Sequence, residues 1–183
     1  MNKVLAIVGM CGVGKSVVCD YLTTLGYNRL YFGGITYKLM EEEGIVRTPD
    51  SERLFRENLR KVHGDACYAK FLYPEIEKML QENKLVVLDG LYSWHELTFL
   101  QDKLQDKLVV ISVVCDKDLR YDRISKRKDR PFDNEKAKER DISEIENLFK
   151  GGPISYADYY ILNNGTFDDV YKRVDEILTT INK

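Results

Sequence analysis

No stretch of this chain is apolar for long enough to cross a bilayer, which takes about 20 residues. Its first apolar run, Val4-Leu5-Ala6-Ile7-Val8, ends at Gly9, and no small-residue cleavage site of a signal peptide follows it. Only two histidines occur, His63 and His95, far apart and without zinc-ligand spacing. The four cysteines, Cys11, Cys19, Cys67 and Cys115, form no C-x-x-C pair, so a reduced, cytoplasmic setting is expected. The formal net charge is only −2, which gives no global attraction to nucleic acid or to an anionic membrane. Repeats, low-complexity tracts and Pro/Gly/Ser linkers are also missing. The 183 residues fit one domain with a sizeable core.

What is present is an alternation of short apolar strands with amphipathic helices. This argues for an α/β fold with a parallel sheet covered by helices on both faces. Val4 to Val8 and Leu85 to Leu88 read as strands buried on both sides. Leu108 to Val114 and Tyr159 to Leu162 read as further strands, with a short one around Leu30 to Phe32. Helices are predicted over residues 15–25, 35–43, 49–62, 66–81, 118–128, 135–149 and 167–181. Gly26 suits a left-handed helix cap, and Thr48-Pro49 an N-cap with proline in the first turn. The helix from Asp118 should stop near Arg130-Pro131, because the residue before proline disfavours helix.

Gly9-Met10-Cys11-Gly12-Val13-Gly14-Lys15-Ser16 fits the Walker A pattern G-x-x-x-x-G-K-[ST]. From average composition, a chance match in a chain this long has a probability of roughly 1%. Glycines let the backbone curl so that its N–H groups converge on phosphate oxygens. The helix that follows adds the positive end of its dipole. Gly9, Gly12, Val13 and Gly14, with Lys15, Ser16 and Val17 at the helix start, form the expected nucleotide-binding set. Lys15 can reach the β- and γ-phosphates, and Ser16 can ligate Mg²⁺.

Asp89-Gly90 ends the strand at Leu88. A carboxylate there can hold Mg²⁺ directly or through water, or accept a proton from an attacking hydroxyl. Ligands of open α/β sheets sit beyond the carboxyl ends of the strands. Ser93-x-x-Glu96 reads as a capping box rather than as chemistry. Between residues 120 and 140 there are nine Lys/Arg against five Asp/Glu. Arg120, Arg123 and Arg127 share a helix face, with Arg130 following. The segment fits a lid that excludes water and supplies guanidinium groups to phosphate, or else a solvated helix laced with ion pairs. Arg53, Arg56 and Arg60 share another helix face, with Phe55, Leu59 and Val62 expected opposite them toward the core. That face can grip an acceptor's phosphate or simply be solvated. Lys38 and Arg47 are weaker candidates.

With these residues in place, the chain resembles P-loop nucleotide kinases of the adenylate-kinase and dephospho-coenzyme-A-kinase type. The likeness is closest to dephospho-CoA-kinase-like ATPases. It is carried by Ile7 to Ser16, by Val86 to Gly90 with Ser93 and Glu96, by Arg120 to Arg140 with Asp141, and by Ala157-Asp158-Tyr159 through Thr166. The resemblance implies a five-stranded parallel sheet, Asn163, Asn164 and Gly165 beside the adenine ring, and Arg123 and Arg127 acting from the lid. Two features depart from the pattern. Phe32-Gly33-Gly34-Ile35 lacks the carboxylate of dephospho-CoA kinases, and Leu91-Tyr92-Ser93 lacks the arginine usual in adenylate-kinase relatives.

The expectation is a single P-loop kinase domain over 1–183. Its core comprises 1–34, 84–119 and 141–183, with a helical acceptor-binding segment about 35–83 and a lid about 120–140. Lys15, Asp89, Arg123 and Arg127 form the expected catalytic set, with Ser16 and Asp89 as magnesium ligands. ATP and Mg²⁺ are the expected cofactors, and a small nucleotide-like acceptor the expected partner, a nucleoside monophosphate or a dephospho-CoA-like compound. The alternative is an ATP-binding regulatory module or slow ATPase acting through a protein partner. No N-K-x-D motif supports a GTP switch, since Asp116-Lys117-Asp118 has the wrong spacing. A nucleic-acid 5′-kinase is disfavoured by the modest charge and the lack of an aromatic-basic surface pattern.

Overall fold

The computed structural model describes residues 3–128 and 131–182. Arg130, expected in the lid, lies outside them. The chain runs β1 (Val4–Val8), α1 (Lys15–Thr24), β2 (Asn28–Tyr31), α2 (Phe32–Glu42), α3 (Pro49–His63), α4 (Cys67–Gln81) and β3 (Val86–Asp89). It continues with α5 (Trp94–Leu104), β4 (Leu108–Val114), α6 (Lys117–Ser125), α7 (Asn134–Glu146), α8 (Gly151–Ser155), β5 (Tyr159–Leu162) and α9 (Phe167–Ile181). The five strands form one parallel sheet in the order β2-β3-β1-β4-β5.

Side chains alternate across a strand, and β1 feeds two cores. Val4, Ala6 and Val8 pack under α3, α4 and α5 with Leu59, Tyr68, Leu72 and Leu97. Leu5 and Ile7 point the other way, into Val18 and Leu22 of α1 and Val170 and Val174 of α9. A third cluster joins Cys11 of the first loop to Tyr121, Ile124 and Ala137 of α6 and α7. The basic segment is thus packed on the loop after β1. No helix among the described residues is long and apolar enough to cross a membrane.

Four local expectations change. The helix expected over 118–128 ends at Ser125, well before the proline at 131. Phe32 begins a helix rather than ending a strand, and is fully buried there. The predicted helix over 135–149 ends at Glu146, and a separate short helix forms at Gly151–Ser155. Val62 is 64% exposed, whereas Glu52 is buried. At 100° per residue the inward stripe of α3 runs through Glu52, Phe55 and Leu59, and Val62 falls off its edge. Arg56 and Arg60 border the other side of this stripe, against a cavity. Glu52 can sit on the inward stripe because it has cationic company, Arg47 at 3.6 Å and Arg56 at 3.5 Å.

Candidate active site

The loop after β1 owes its shape to glycine at two positions above all. Gly9 has φ +143°, and a Cβ there would sit 2.4 Å from the Val113 carbonyl oxygen. Gly14 has φ +94° and precedes α1 in the left-handed region. A Cβ on it would strike the Asn163 amide nitrogen at 2.2 Å. Gly12 and Val13 lie between them, buried, and Val17 and Ser16 stand in the first turn of α1 with Ser16 exposed.

Lys15 folds back over its own loop and donates to the carbonyls of Gly9 (2.8 Å) and Met10 (3.0 Å). Burial, and then the charge of Lys150, lowers its amine from 10.5 to about 8. Asp89 is buried at the end of β3, which lies beside β1. Its Oδ2 accepts from Arg29 Nε (3.0 Å) and from a second Arg29 nitrogen (2.5 Å). Arg29 also holds Asp20. Burial, with a bond to Asp89 among the further causes, pushes the Cys19 thiol up. No group of three or more His, Cys, Asp or Glu among the described residues is placed to cage a metal. Ser16 and Asp89 supply oxygen groups, the ligand type that magnesium takes together with several waters and substrate phosphates.

The three residues expected near adenine follow β5. Asn163 is buried, and its amide donates to the Val13 carbonyl at 2.8 Å. Its carbonyl accepts from Arg123 at 2.8 Å, and its side-chain oxygen is a buried acceptor without a partner. Asn163 therefore braces the phosphate loop, with one acceptor left over beside it. Asn164 accepts from the Asp116 N–H (2.9 Å), and Gly165 is exposed.

The arginines of the basic segment separate by role. Arg120 is buried, clamps both carboxylate oxygens of Asp141 and donates to the Cys11 carbonyl. Arg123 reaches Asn163, and exposed Arg127 approaches the Cys11 sulfur at 3.4 Å.

A cavity of about 680 Å³ opens among α2, α3, α7 and the ends of β2 and β3. Arg53, Arg56 and Arg60 all line it, so the three arginines singled out on spacing converge on one hollow. Arg53 also pairs with Glu57. Tyr31, Tyr68 and Tyr92 provide aromatic walls, and Arg140 and Glu144 close the side toward α7. Lys38 pairs with Glu42 on the exposed side of α2. Ser93 and Glu96 form the expected capping box. Glu96 also lies 3.9 Å from Arg60, and burial raises its carboxyl to about 7.

Arg29, Glu52, Glu144 and Lys150 were not singled out from sequence. Arg29 sits in an ordinary short strand, and Lys150 in what reads as a Gly-rich turn. Neither carries a motif, and only the packed chain brings them to the site.

Residues 5–146 match the family described as AAA domain, and the chain belongs to that family. A UPF0200 protein from Sulfurisphaera tokodaii is 30% identical over 183 residues, covering 98% of this chain and 97% of that one. The chain is thus also a member of the UPF0200 group. Among solved structures, shikimate kinase from Bacteroides thetaiotaomicron superposes with TM-score 0.61 over 99% of both chains at 11% identity. A gluconokinase from Sinorhizobium meliloti gives 0.60 over 98% of this chain and 93% of that one at 12% identity. At such identities the likeness establishes the fold, a P-loop kinase-like α/β sheet.

Proposed function

We propose that this protein is a P-loop phosphotransferase that moves the γ-phosphoryl group of Mg-ATP to a small nucleotide-like acceptor. The observation that carries the reading is the presence of two half-sites. A phosphate-binding loop lies at the carboxyl end of the sheet, and an arginine-lined, tyrosine-walled cavity adjoins the end of β3. A hydrolase needs only the first. The aromatic walls suit a planar base, and the guanidinium groups suit phosphate. The shared fold with proteins named shikimate kinase and gluconokinase supports phosphoryl transfer to a small molecule.

Catalysis on this reading is positioning and charge stabilisation. Lys15 leaves the Gly9 and Met10 carbonyls for the phosphate chain. Ser16 and Asp89 hold magnesium, which when bound offsets phosphate charge. Arg29 keeps Asp89 oriented. Arg127 reaches over the loop toward the phosphates, and Arg123 acts through Asn163. Residues 120–140 serve as the lid, and 35–83 as the acceptor-binding segment.

The test is ADP release from Mg-ATP with nucleoside monophosphates, deoxynucleotides, dephospho-CoA and a 5′-hydroxyl oligonucleotide. At least one of the first three should raise turnover well above the water background. Lys15→Ala should abolish that turnover while its circular dichroism stays native. Turnover at background with every acceptor rejects the kinase reading in favour of a slow ATPase acting through a partner.

A further inference from the structure

Beside the cavity lies a cluster centred on Lys150 and Glu144, which none of the motifs names. Lys150 follows α7 and is 1% exposed. Its ammonium donates to Glu144 Oε2 at 2.7 Å and lies 4.9 Å from the Tyr92 ring centroid. The other oxygen of Glu144 accepts from Arg140 Nε at 3.1 Å. Glu144, Arg140 and Tyr92 all line the cavity. Lys150 and Glu144 are also both among the charges acting on Lys15. Two cations, Lys150 and Arg140, thus hold one carboxylate, and its charge is also felt by Lys15.

A buried lysine is costly unless paired. A single carboxylate shared between two cations leaves the pair short of negative charge. The shortfall lies beside the acceptor cavity and acts on Lys15 of the donor loop, where a phosphoryl group in transit would bring anionic oxygens.

We infer that Lys150, with Arg140, is a binding site for the phosphoryl group in transit, and that Glu144 holds the place of that anion until the substrates arrive. The inference rests on the phosphotransferase reading. During transfer the bond from the γ-phosphorus to the β–γ bridging oxygen breaks, and its electron pair stays on ADP. The acceptor oxygen supplies the pair for the new bond and, where it is a hydroxyl, releases its proton to water. Lys150 remains an ammonium throughout and passes no proton.

The experiment compares the affinities of Mg-ADP and of Mg-AMP-PNP, a non-hydrolysable ATP analogue, by calorimetry in the wild type, Lys150→Met, Lys150→Arg and Glu144→Gln. Lys150→Met should lower the preference for the triphosphate at least tenfold while moving ADP affinity less than twofold. Lys150→Arg should recover part of it. Glu144→Gln, which removes the competing anion, should raise the preference. A purely structural role would weaken both nucleotides together and move the Met and Gln variants in the same direction, and that result overturns the inference. Should Lys150→Met fail to fold, an unchanged or lowered preference in Glu144→Gln overturns it equally. Absence of nucleotide binding by the wild type would instead reject the phosphotransferase reading itself.

Discussion

At the scale of single residues, Lys15 carries the sharpest prediction. In the free protein its amine titrates at about 8, lowered first by burial and then by Lys150. Its folded value lies below the unfolded one. It therefore disfavours the folded state at neutral pH, and this penalty fades as pH rises from about 8 toward 10.5. Binding of a polyphosphate reverses the balance by supplying negative charge. Above pH 8, binding must then take up a proton, and affinity should fall with a slope approaching tenfold per pH unit. Calorimetry in buffers of different ionisation enthalpy would detect the uptake near pH 9 and find little at pH 7. A flat affinity from pH 7 to 9.5 would show that Lys15 does not meet the phosphates as an ammonium. The residues of this loop were legible because the motif is contiguous and its glycine requirement is local. Lys150 and Glu144 were not, because six positions of sequence say nothing of their common burial beside the cavity. Arg29 was hidden for a similar reason, since its partner Asp89 lies 60 residues away.

At the scale of elements, the basic segment is fastened rather than merely solvated. Arg120 of α6 clamps Asp141 of α7 and the Cys11 carbonyl, with both side chains about nine-tenths buried. Arg120→Ala leaves a carboxylate buried without its partner, which costs about 3–5 kcal/mol. Urea denaturation should show that loss as a lower midpoint with an unchanged slope. The double variant Arg120→Ala/Asp141→Ala should recover part of it. A single variant as stable as the wild type would mean the clamp is dispensable. The helix pattern was readable from period and caps, with the cap at Thr48 and the box at Ser93 both formed. The facing of α3 was not, because period alone does not say that Glu52, held by Arg47 and Arg56, takes the inward stripe while Val62 falls at its edge. The same limit separates Arg120 from Arg123 and Arg127. Their spacing put them on one face, but only packing decides which of them is a strut.

At the scale of the whole molecule, the alternation of strands and helices gave the parallel sheet and its two covered faces. Strand order was beyond such periodicity, since β1, β3 and β4 read as similar apolar runs and nothing in a run names its neighbour. Ligation should be felt by the whole domain. A ligand at 100 times its dissociation constant adds about 2.7 kcal/mol, which for a domain of this size is a rise in Tm of roughly 5–10 °C. Mg-ATP should produce this rise in the wild type and none in Lys15→Ala, as read by scanning calorimetry. Equal shifts in both would place the nucleotide elsewhere. The Asn163 amide meets Val13 across 150 residues of sequence. A nascent chain on the ribosome would therefore carry the whole phosphate loop long before it could hold that loop's shape. The loop would take that shape only when β5 emerges and docks, so any binding that depends on it comes late in synthesis.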